Sequence, residues 1–294
     1  MRASPAPLDP GLVERVVEAL GLSALPEPDA AGLRALYGAW CQRVPFDNIR
    51  KLVHIRAQDP APLPGDDATD FFDAWLAHGT GGTCWAGNGA LCALLEATGF
   101  DARRGVCTMV FAGEVPPNHG TVSVELGGER WLVDASILHG EPMRLEARDE
   151  TRVVHPAWGI RCAQKDGRFH VRWRIFHLPG GLDCRIESLS SDAGEFQERH
   201  EATRAWSPFN YQLSARLNRG DRVIGAGFGA LGAIDASGVV TMDPTDDASR
   251  RKFLLEEIGV SEAMVSRLPP DVAMPPPPDS RTAAALERAA KKEA

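Results

Sequence analysis

The chain has 294 residues, of which 44% are hydrophobic and 24% are charged, and its formal net charge is −8. This length supports the cores of about two domains, and the composition is ordinary for a soluble globular protein. The negative charge argues against a nucleic-acid-binding protein and against a polybasic membrane protein.

The sequence indicates neither a targeting segment nor a metal or disulfide framework. The first residues contain no apolar signal-peptide core, and no run of about 18 apolar residues exists. The six cysteines include no C-x-x-C pair, which predicts neither a zinc site nor disulfide bonds. We therefore expect a cytoplasmic protein with no metal, no membrane partner and no nucleic-acid partner.

The first hundred residues are predicted to be mainly helical. Asp9 and Pro10 are typical of a helix start, and leucine and valine then recur at helical spacing as far as Gly21. Further helices are predicted over residues 29–42, 70–78 and 84–98, with a proline-rich loop at 56–67.

From about residue 102 the pattern changes to that of β-strands. Strands are predicted over residues 105–112, 120–126, 130–135, 168–177, 182–188, 211–218, 222–226 and 239–242, and short helices near 194–203, 249–258 and 261–267. Residues 227–232 satisfy G-x-G-x-x-G, but a strand and a hairpin turn are predicted after them, which argues against a dinucleotide site. The order of elements predicts the α+β class.

Cys84, His119 and Asp134 form the most informative chemical pattern. A thiol nucleophile needs a base that takes its proton, and the base needs a carboxylate that orients it. Cys84 follows a Gly-Gly-Thr segment at a predicted helix start, a position that lowers the pKa of a thiol. His119 and Asp134 lie on predicted strands. The pattern predicts a cysteine-dependent acyl-group enzyme with its site between the helical and strand-rich parts.

These residues resemble the arylamine N-acetyltransferase family. That family carries Pro-Phe-Glu-Asn, then Arg-Gly-Gly-x-Cys-Phe-Glu-x-Asn, then a histidine, a Trp-x-x-Asp-Val-Gly-Phe-Gly strand and a Ser-Pro-x-Ser-x-Phe region. The resemblance extends over about residues 10–268. The matching segments are Pro-Phe-Asp-Asn at 45–48, Gly-Gly-Thr-Cys-Trp at 81–85, Asn88, His119, Trp-Leu-Val-Asp at 131–134 and Ser-Pro-Phe at 207–209.

The resemblance implies a helical bundle, a central antiparallel β-barrel and a C-terminal α/β lid around a core like that of cysteine proteases. We expect the bundle with Cys84 over residues 1–100 and the barrel with His119 and Asp134 over 101–205. The lid is expected over residues 206–268, and a flexible tail over 269–294.

The resemblance also implies ping-pong chemistry through a thioester. Cys84 takes an acyl group from a thioester, and an amine then takes it to form an amide. No bound cofactor is expected, because an acyl-CoA or an acyl carrier protein is the co-substrate and a small-molecule amine is the acceptor. The catalytic residues are predicted to be Cys84, His119 and Asp134, and the substrate pocket is predicted to include Phe46, Trp85, Ser136 and Phe209.

The chain departs from the family around the triad. Thr80 replaces the family arginine, Ala86 replaces its glutamate, and Ala-Ser-Ile-Leu at residues 135–138 replaces Val-Gly-Phe-Gly. Added side chains there narrow the approach to Cys84 and favour a larger apolar acyl group. We therefore predict that acetyl-CoA is a poor donor and that a longer or carrier-tethered acyl group is preferred, as in a natural-product pathway.

Two other functions fit parts of the pattern. Transglutaminase-like and thioester-hydrolysing enzymes share the order Cys, His, Asp, although they do not explain the Pro-Phe-Asp-Asn element at residues 45–48. A non-catalytic binding protein of the same fold would explain the altered residues 135–138. Acceptor dependence separates transfer from hydrolysis, and the reactivity of Cys84 towards iodoacetamide separates an enzyme from a binding protein.

Overall fold

Five helices form the N-terminal part of the computed structural model, which describes residues 7–111, 115–155, 159–176, 178–278, 280 and 282–283. Aspartate side chains accept hydrogen bonds from first-turn N–H groups in three of these helices. None of the helices in the described ranges is long and apolar enough to cross a bilayer. The helices are α1 Pro10–Ala19, α2 Ala30–Arg43, α3 Ile49–Arg56, α4 Ala68–His78 and α5 Cys84–Ala97.

The predicted helices at 29–42, 70–78 and 84–98 are confirmed within two residues at each end. The eight-residue helix α3 was not predicted from the sequence. It follows Pro45 closely and carries Arg50, Lys51, His54 and Arg56 among its apolar residues, so its helical periodicity is weak.

An eight-stranded antiparallel sheet forms the middle of the molecule. Thr151 Oγ1 donates a hydrogen bond of 2.7 Å to the carbonyl oxygen of Arg144, which ties the two edge strands together. The sheet therefore closes nearly into a barrel. Its strands in spatial order are β5 Met143–Arg144, β4 Glu129–Val133, β3 His119–Leu126, β2 Asp101–Val110, β9 Leu178–Ser191, β8 Arg168–Ile175, β7 Ile160–Lys165 and β6 Thr151–Val153.

A second antiparallel sheet, of five strands, forms the lid. Its first strand comes from the N-terminal part of the chain, between α2 and α3. The strands in spatial order are β1 Phe46–Asp47, β10 Ser214–Asn218, β11 Val223–Gly227, β12 Ala230–Ile234 and β13 Val240–Pro244. Helix α6 Ala193–Ala202 packs against α5. The remaining helices are α7 Asp247–Phe253, which continues as a π turn over Leu254–Ile258, and α8 Glu262–Val265.

The glycine pattern at 227–232 lies in a β-hairpin. β11 and β12 pair antiparallel from Val223 with Ile234 to Gly227 with Ala230, and β12 pairs next with β13. A Cβ atom at Gly232 would lie 2.9 Å from the Phe176 ring, whereas one at Gly227 would lie 3.8 Å from the nearest atom and one at Gly229 would have nothing within 4 Å. The pattern is therefore not a dinucleotide motif, and close packing explains only one of its three glycines.

Two large hydrophobic cores hold these parts together, and a small third cluster of Cys84, Trp85, Val106 and Phe196 lies among the described residues. The larger core joins α1, α2, α4 and α5 to the inner face of the barrel. The smaller core lies in the lid, where Ile49 and Leu52 of α3 pack with residues of β10, the π turn and α8. The α+β class with bundle, barrel and lid is therefore confirmed. The domain boundaries stay a prediction, because α3 lies in the predicted bundle range but packs with the lid.

The first part of the predicted tail is bound to the lid. Asp271 accepts a hydrogen bond of 2.8 Å from the Leu213 N–H and pairs with Arg250 at 2.7 Å. The Trp206 indole donates to the carbonyl oxygen of Pro275 at 3.2 Å. Most of the predicted tail after residue 278 lies outside the described residues.

Candidate active site

Cys84 is the first residue of α5 and is 7% exposed. The preceding residue, Thr83, makes no side-chain hydrogen bond to the first turn, in contrast to the aspartate caps of α1, α2, α4 and α6. First-turn N–H groups therefore remain for an anion at this end of the helix. The loop before it needs glycine, because a Cβ atom at Gly81 would lie 1.8 Å from the Pro45 carbonyl oxygen.

Asp47 connects the Pro-Phe-Asp-Asn segment to residues 79–83, which precede Cys84 and are called the cysteine loop. Its Oδ2 accepts a hydrogen bond of 2.6 Å from the Gly81 N–H, and its Oδ1 accepts one of 2.9 Å from the Ile49 N–H. Burial raises the pKa of Asp47 to about 6, although both hydrogen bonds and the charge of Arg50 act to lower it. The side chain therefore positions both the cysteine loop and the start of α3.

His119 and Asp134 meet where β3 begins and β4 ends. The His119 Nε2 lies 2.8 Å from Asp134 Oδ2, and the two residues are 3% and 1% exposed. This leaves the other ring nitrogen, Nδ1, without a bond to Asp134, and the influence of Cys84 raises the pKa of His119. The Cys84 Sγ also lies 3.9 Å from the Asn118 carbonyl oxygen.

The three side chains form a charged unit. Burial alone would lower the pKa of His119, but the charge of Asp134 and hydrogen bonds with Asp134 and Cys84 raise it well above its usual range. Burial would raise the pKa of Asp134, but His119 and the N–H groups of Ser136 and Ile137 hold it at about 2. His119 is therefore held as an imidazolium, which can stabilise a thiolate at Cys84.

Asn88 and Tyr37 support this unit, and neither was predicted as a site residue. Asn88 Nδ2 donates to the carbonyl oxygens of Cys84 and Gly120 at 3.1 and 2.6 Å, and its Oδ1 accepts from the Ala135 N–H at 2.9 Å. The Tyr37 hydroxyl donates to the Asp134 carbonyl oxygen at 2.9 Å. The Asn88 side chain was visible in the motif, whereas Tyr37 looked like one of several apolar residues of α2.

Three of the four predicted pocket residues come together around Arg216. The Arg216 guanidinium lies over the Phe46 ring at 4.6 Å, and Phe209 meets Phe46 edge to face at 5.3 Å. Arg216 Nη2 donates to the Ser136 carbonyl oxygen at 2.6 Å. The Ser136 hydroxyl is buried and has no hydrogen-bond partner among the described residues.

The fourth predicted pocket residue, Trp85, does not lie with the other three around Arg216. It meets Phe196 of α6 edge to face at 5.0 Å and lines a cavity of about 440 Å³ between α4, α5 and α6. Cys84 is not among the residues that line this cavity. The structure therefore does not bring Trp85 together with Phe46, Ser136 and Phe209.

Ile137 and Leu138 do not supply the apolar bulk that the sequence predicted beside Cys84. Both side chains are buried within the large core. The Leu138 backbone has a φ of +56°, and its carbonyl oxygen accepts a hydrogen bond from Asn218. The argument for a larger apolar acyl group is wrong at these two positions, because the turn after Asp134 directs both side chains into the core.

Lys51 of α3 is a further residue that the sequence did not indicate. It is 4% exposed, and its Nζ donates a hydrogen bond of 2.7 Å to the Thr203 hydroxyl. Burial lowers the pKa of Lys51 to about 7, although the charges of Cys84 and Glu201 act to raise it. No sequence signal marks this lysine as buried, because the helix that carries it was not predicted.

Comparison with known proteins relates this chain to N-acetyltransferases. The family model described as N-acetyltransferase matches residues 29–172. An arylamine N-acetyltransferase of Mycolicibacterium smegmatis is 31% identical over 151 residues, which cover 48% of the chain and 53% of the relative. Over these residues the chain is similar to arylamine N-acetyltransferases. The match with this curated relative spans about half of the relative's length.

Solved structures of arylamine N-acetyltransferases share the fold. The enzyme of M. smegmatis has a TM-score of 0.72 at 20% identity, with 89% of this chain and 98% of that chain covered. The Mycobacterium marinum enzyme in complex with CoA has a TM-score of 0.74 at 18% identity, with 87% and 96% covered. The fold likeness therefore extends well beyond the matched residues 29–172.

Proposed function

We propose that this protein is a cysteine-dependent N-acyltransferase that moves an acyl group from a CoA thioester, through a thioester on Cys84, to an amine. The observation that carries the proposal is the buried His119–Asp134 pair, whose histidine pKa is influenced by Cys84 at the uncapped start of α5. Acyl transfer requires a nucleophile, a base and a carboxylate that orients the base. The similarity to arylamine N-acetyltransferases supports the same chemistry.

In the first half-reaction the Cys84 thiolate attacks the thioester carbonyl carbon. A C–S bond forms, the carbonyl oxygen takes the negative charge, and first-turn N–H groups of α5 stabilise this oxyanion. Each such donor contributes about 2.7–4 kcal/mol in acyl-transfer enzymes. The bond to the CoA sulfur then breaks, His119 gives its proton to the leaving thiolate, and Cys84 keeps the acyl group.

In the second half-reaction the amine attacks the acyl carbon on Cys84. Neutral His119 takes the proton from the attacking nitrogen, and the Asp134 carboxylate stabilises the imidazolium that forms. The C–S bond breaks, the amide leaves, and the thiolate–imidazolium pair is restored. No cofactor takes part, because both half-reactions conserve electrons and use only the thioester, the amine and the triad.

The donor is best supported as an acyl-CoA. The fold relative from M. marinum was solved in complex with CoA. A carrier protein presents the same thioester on a pantetheine arm, so a carrier-tethered acyl group in a natural-product pathway is a second form of the same proposal. The acceptor is proposed to be a small-molecule amine, and the reaction is proposed to take place in the cytoplasm.

The experiment that tests this function measures the mass of the intact protein after incubation with an acyl-CoA. We expect a covalent adduct on Cys84, its disappearance when an arylamine is added, and no adduct in Cys84→Ala. Cys92→Ala is the matched control, because burial raises the pKa of that thiol to about 12 and it should not react. Transfer by Cys84→Ala at the wild-type rate would rule the proposal out.

The same assay separates the alternative functions. Equal thioester consumption with and without an amine would indicate a transglutaminase-like or thioester-hydrolysing enzyme. Alkylation of Cys84 by iodoacetamide no faster than that of the buried Cys92 or Cys107 would indicate a non-catalytic binding protein. We expect acceptor-dependent turnover and selective alkylation of Cys84.

A further inference from the structure

The turn after Asp134 is bound on one side by the lid strand β10. Arg216 of this strand donates from Nη2 to the Ser136 carbonyl oxygen at 2.6 Å. Asn218 of the same strand donates from Nδ2 to the Leu138 carbonyl oxygen at 3.0 Å. Alternate residues of a strand point to the same side, so both donors lie on one face of β10. The lid therefore contacts the residues directly after the triad aspartate at two points.

Two aromatic rings fix the position of the Arg216 guanidinium. Its Cζ lies 4.6 Å from the centre of the Phe46 ring and 5.0 Å from that of the Trp173 ring. Phe46 is also the residue opposite Arg216 in the pairing of β1 with β10. Burial lowers the pKa of Arg216 to about 10, so the side chain remains a cation near neutral pH. Its hydrogen bond to Ser136 is therefore charge-assisted and stronger than one between neutral groups.

The peptide group between Ser136 and Ile137 connects this cation to the triad. A trans peptide group is planar, and its C=O and N–H point in opposite directions. On one side the carbonyl oxygen accepts from Arg216, and on the other the Ile137 N–H donates to Asp134 Oδ1 at 2.9 Å. A rotation of this rigid group therefore disturbs both bonds together. Hydrogen bonds in a chain also polarise one another, so the cation strengthens the N–H as a donor.

The other oxygen of the same carboxylate contacts the histidine of the triad. Asp134 Oδ2 lies 2.8 Å from His119 Nε2. Oδ1 also accepts from the Ser136 N–H at 2.8 Å and from the Asn88 side chain at 3.4 Å. Loss of the Ile137 bond would therefore weaken the orientation of the carboxylate without releasing it.

Asn218 binds a different peptide group of the same turn. The Leu138 carbonyl oxygen that accepts its hydrogen bond shares a peptide group with the His139 N–H. That N–H donates to the Tyr37 hydroxyl at 3.1 Å, and the hydroxyl donates to the main-chain carbonyl oxygen of Asp134. This second path ends on the backbone of Asp134 and not on its carboxylate. Asn218 is therefore a matched control for Arg216, on the same strand and the same turn.

We propose that Arg216 is a positioning residue through which the lid strand β10 orients the Asp134 carboxylate towards His119. Docking of the lid and assembly of the triad are then coupled, because one peptide group takes part in both. The effect on the pair of Asp134 and His119 follows from these contacts. Its consequence for catalysis rests on the proposed acyl transfer.

Other titratable groups also surround His119. Burial lowers its pKa, whereas the charge and hydrogen bond of Asp134 and the influence of Cys84 and Cys184 raise it. Cys107 is the cross-strand partner of His119. Burial raises the pKa of Cys107, and hydrogen bonding with Cys107 together with burial raises that of Cys184. Variants on β10 retain all three thiols, so these groups are present in every titration that is compared.

The first test measures the titration of the His119 ring by NMR with isotope-labelled histidine and needs no acyl transfer. His119→Gln identifies the signal. Arg216→Met removes the charge and the donor but keeps an apolar chain between the rings, and we expect the titration midpoint to move to lower pH. Loss of a nearby positive charge alone would move the midpoint to higher pH. An unchanged or higher midpoint would overturn the proposal.

Two further variants separate positioning from general damage to the turn. Asn218→Leu should lower the Tm but leave the His119 midpoint at its wild-type value. An equal fall of the midpoint in Asn218→Leu would contradict the proposal. If Arg216→Met does not fold, Arg216→Lys carries the test, because it keeps the charge but lacks the planar fork that reaches Ser136. The midpoint should fall here too, and an unchanged one would overturn the proposal.

The second test measures single-turnover acylation of Cys84 by acetyl-CoA and by hexanoyl-CoA. In Arg216→Met the maximal rate at saturating donor should fall by about 10- to 100-fold, and the donor concentration that gives half of this rate should change little. Lys252→Met, at an exposed lysine near Glu256, is the control and should match wild type.

The outcomes of the second test are distinguishable. A wild-type maximal rate in Arg216→Met, or a loss that more donor restores, would contradict the proposal, because the second result means that Arg216 binds the donor. If neither donor acylates the wild-type protein but the His119 midpoint still falls in Arg216→Met, the acyltransferase proposal fails and the positioning of Asp134 by Arg216 stands.

Discussion

At the scale of single residues, the site contains charges that stability alone does not explain. A lysine that is 4% exposed without a carboxylate partner is unfavourable for folding. Replacement of buried charges by apolar side chains of similar volume is often stabilising. Lys51 is therefore expected to lower the stability of the folded chain.

The pH dependence of stability tests this expectation. Burial lowers the pKa of Lys51 to about 7, and the charge of Arg204 also lowers it, although the charges of Cys84 and Glu201 act to raise it. Between this pKa and the usual value near 10.4, the unfolded chain binds a proton that the folded chain lacks, so the lysine's penalty shrinks as pH rises. Lys51→Met should raise the free energy of unfolding by about 2–5 kcal/mol at pH 6–7 and by much less at pH 10.

Urea denaturation of wild type and Lys51→Met at pH 6, 7, 9 and 10 measures this difference. Lys252→Met is the control, because an exposed lysine near Glu256 should change stability by less than about 0.5 kcal/mol at each pH. A lower free energy of unfolding in Lys51→Met at pH 7 would show that the buried amine is better compensated than the structure indicates.

At the scale of elements, the cysteine loop and α5 act together. Two glycines in this region have different surroundings. A Cβ atom at Gly81 would lie 1.8 Å from the Pro45 carbonyl oxygen, whereas one at Gly89 would lie 3.8 Å from Phe196. The Gly81 N–H also bonds to Asp47, so movement of this residue would displace the start of α5.

A pair of alanine variants tests this coupling. Gly81→Ala should lower the free energy of unfolding by more than about 2 kcal/mol and slow the alkylation of Cys84, because the loop must move away from Pro45. Gly89→Ala should raise the free energy of unfolding by about 0.5–1 kcal/mol, because alanine favours the helix and its side chain has room at this position. Thermal unfolding and iodoacetamide labelling measure both effects. Unchanged labelling in Gly81→Ala would disprove the coupling.

At the scale of the whole molecule, segments far apart in sequence close the lid onto the site. β1 pairs with β10, with Phe46 opposite Arg216. On the far side, Asp271 bonds to both Leu213 and Arg250 and so fixes the segment after α8. The residues after 268 are therefore expected to stabilise the lid.

Two truncated chains test this expectation. A chain that ends at residue 268 should have a free energy of unfolding about 1–3 kcal/mol below that of a chain that ends at 278, because it lacks the Asp271 hydrogen bond and ion pair. Differential scanning calorimetry should show a lower Tm. Asp271→Asn in the longer chain should lower the free energy of unfolding by part of the same amount. Identical Tm values for both chains would show that the segment adds nothing.

The sequence by itself predicted many of the elements and the candidate nucleophile Cys84. Aspartate caps and apolar periodicity are local signals, so α2, α4 and α5 were predicted within a few residues. Cys84, His119 and Asp134 were found because their residue types, order and motif are written along the chain. Asn88 was visible in the same motif, although its hydrogen bonds were not.

Only the tertiary structure decided what surrounds the nucleophile. The two-residue strands β1 and β5 are too short for periodicity, and α3 carries too many charges to be recognised as a partly buried helix. Lys51 and Arg216 look like ordinary surface cations in sequence. Their burial depends on Thr203, Phe46 and Trp173, which reach them only through long-range packing. The direction of Trp85, Ile137 and Leu138 depends on the same contacts, because neighbours distant in sequence determine which side of an element is buried.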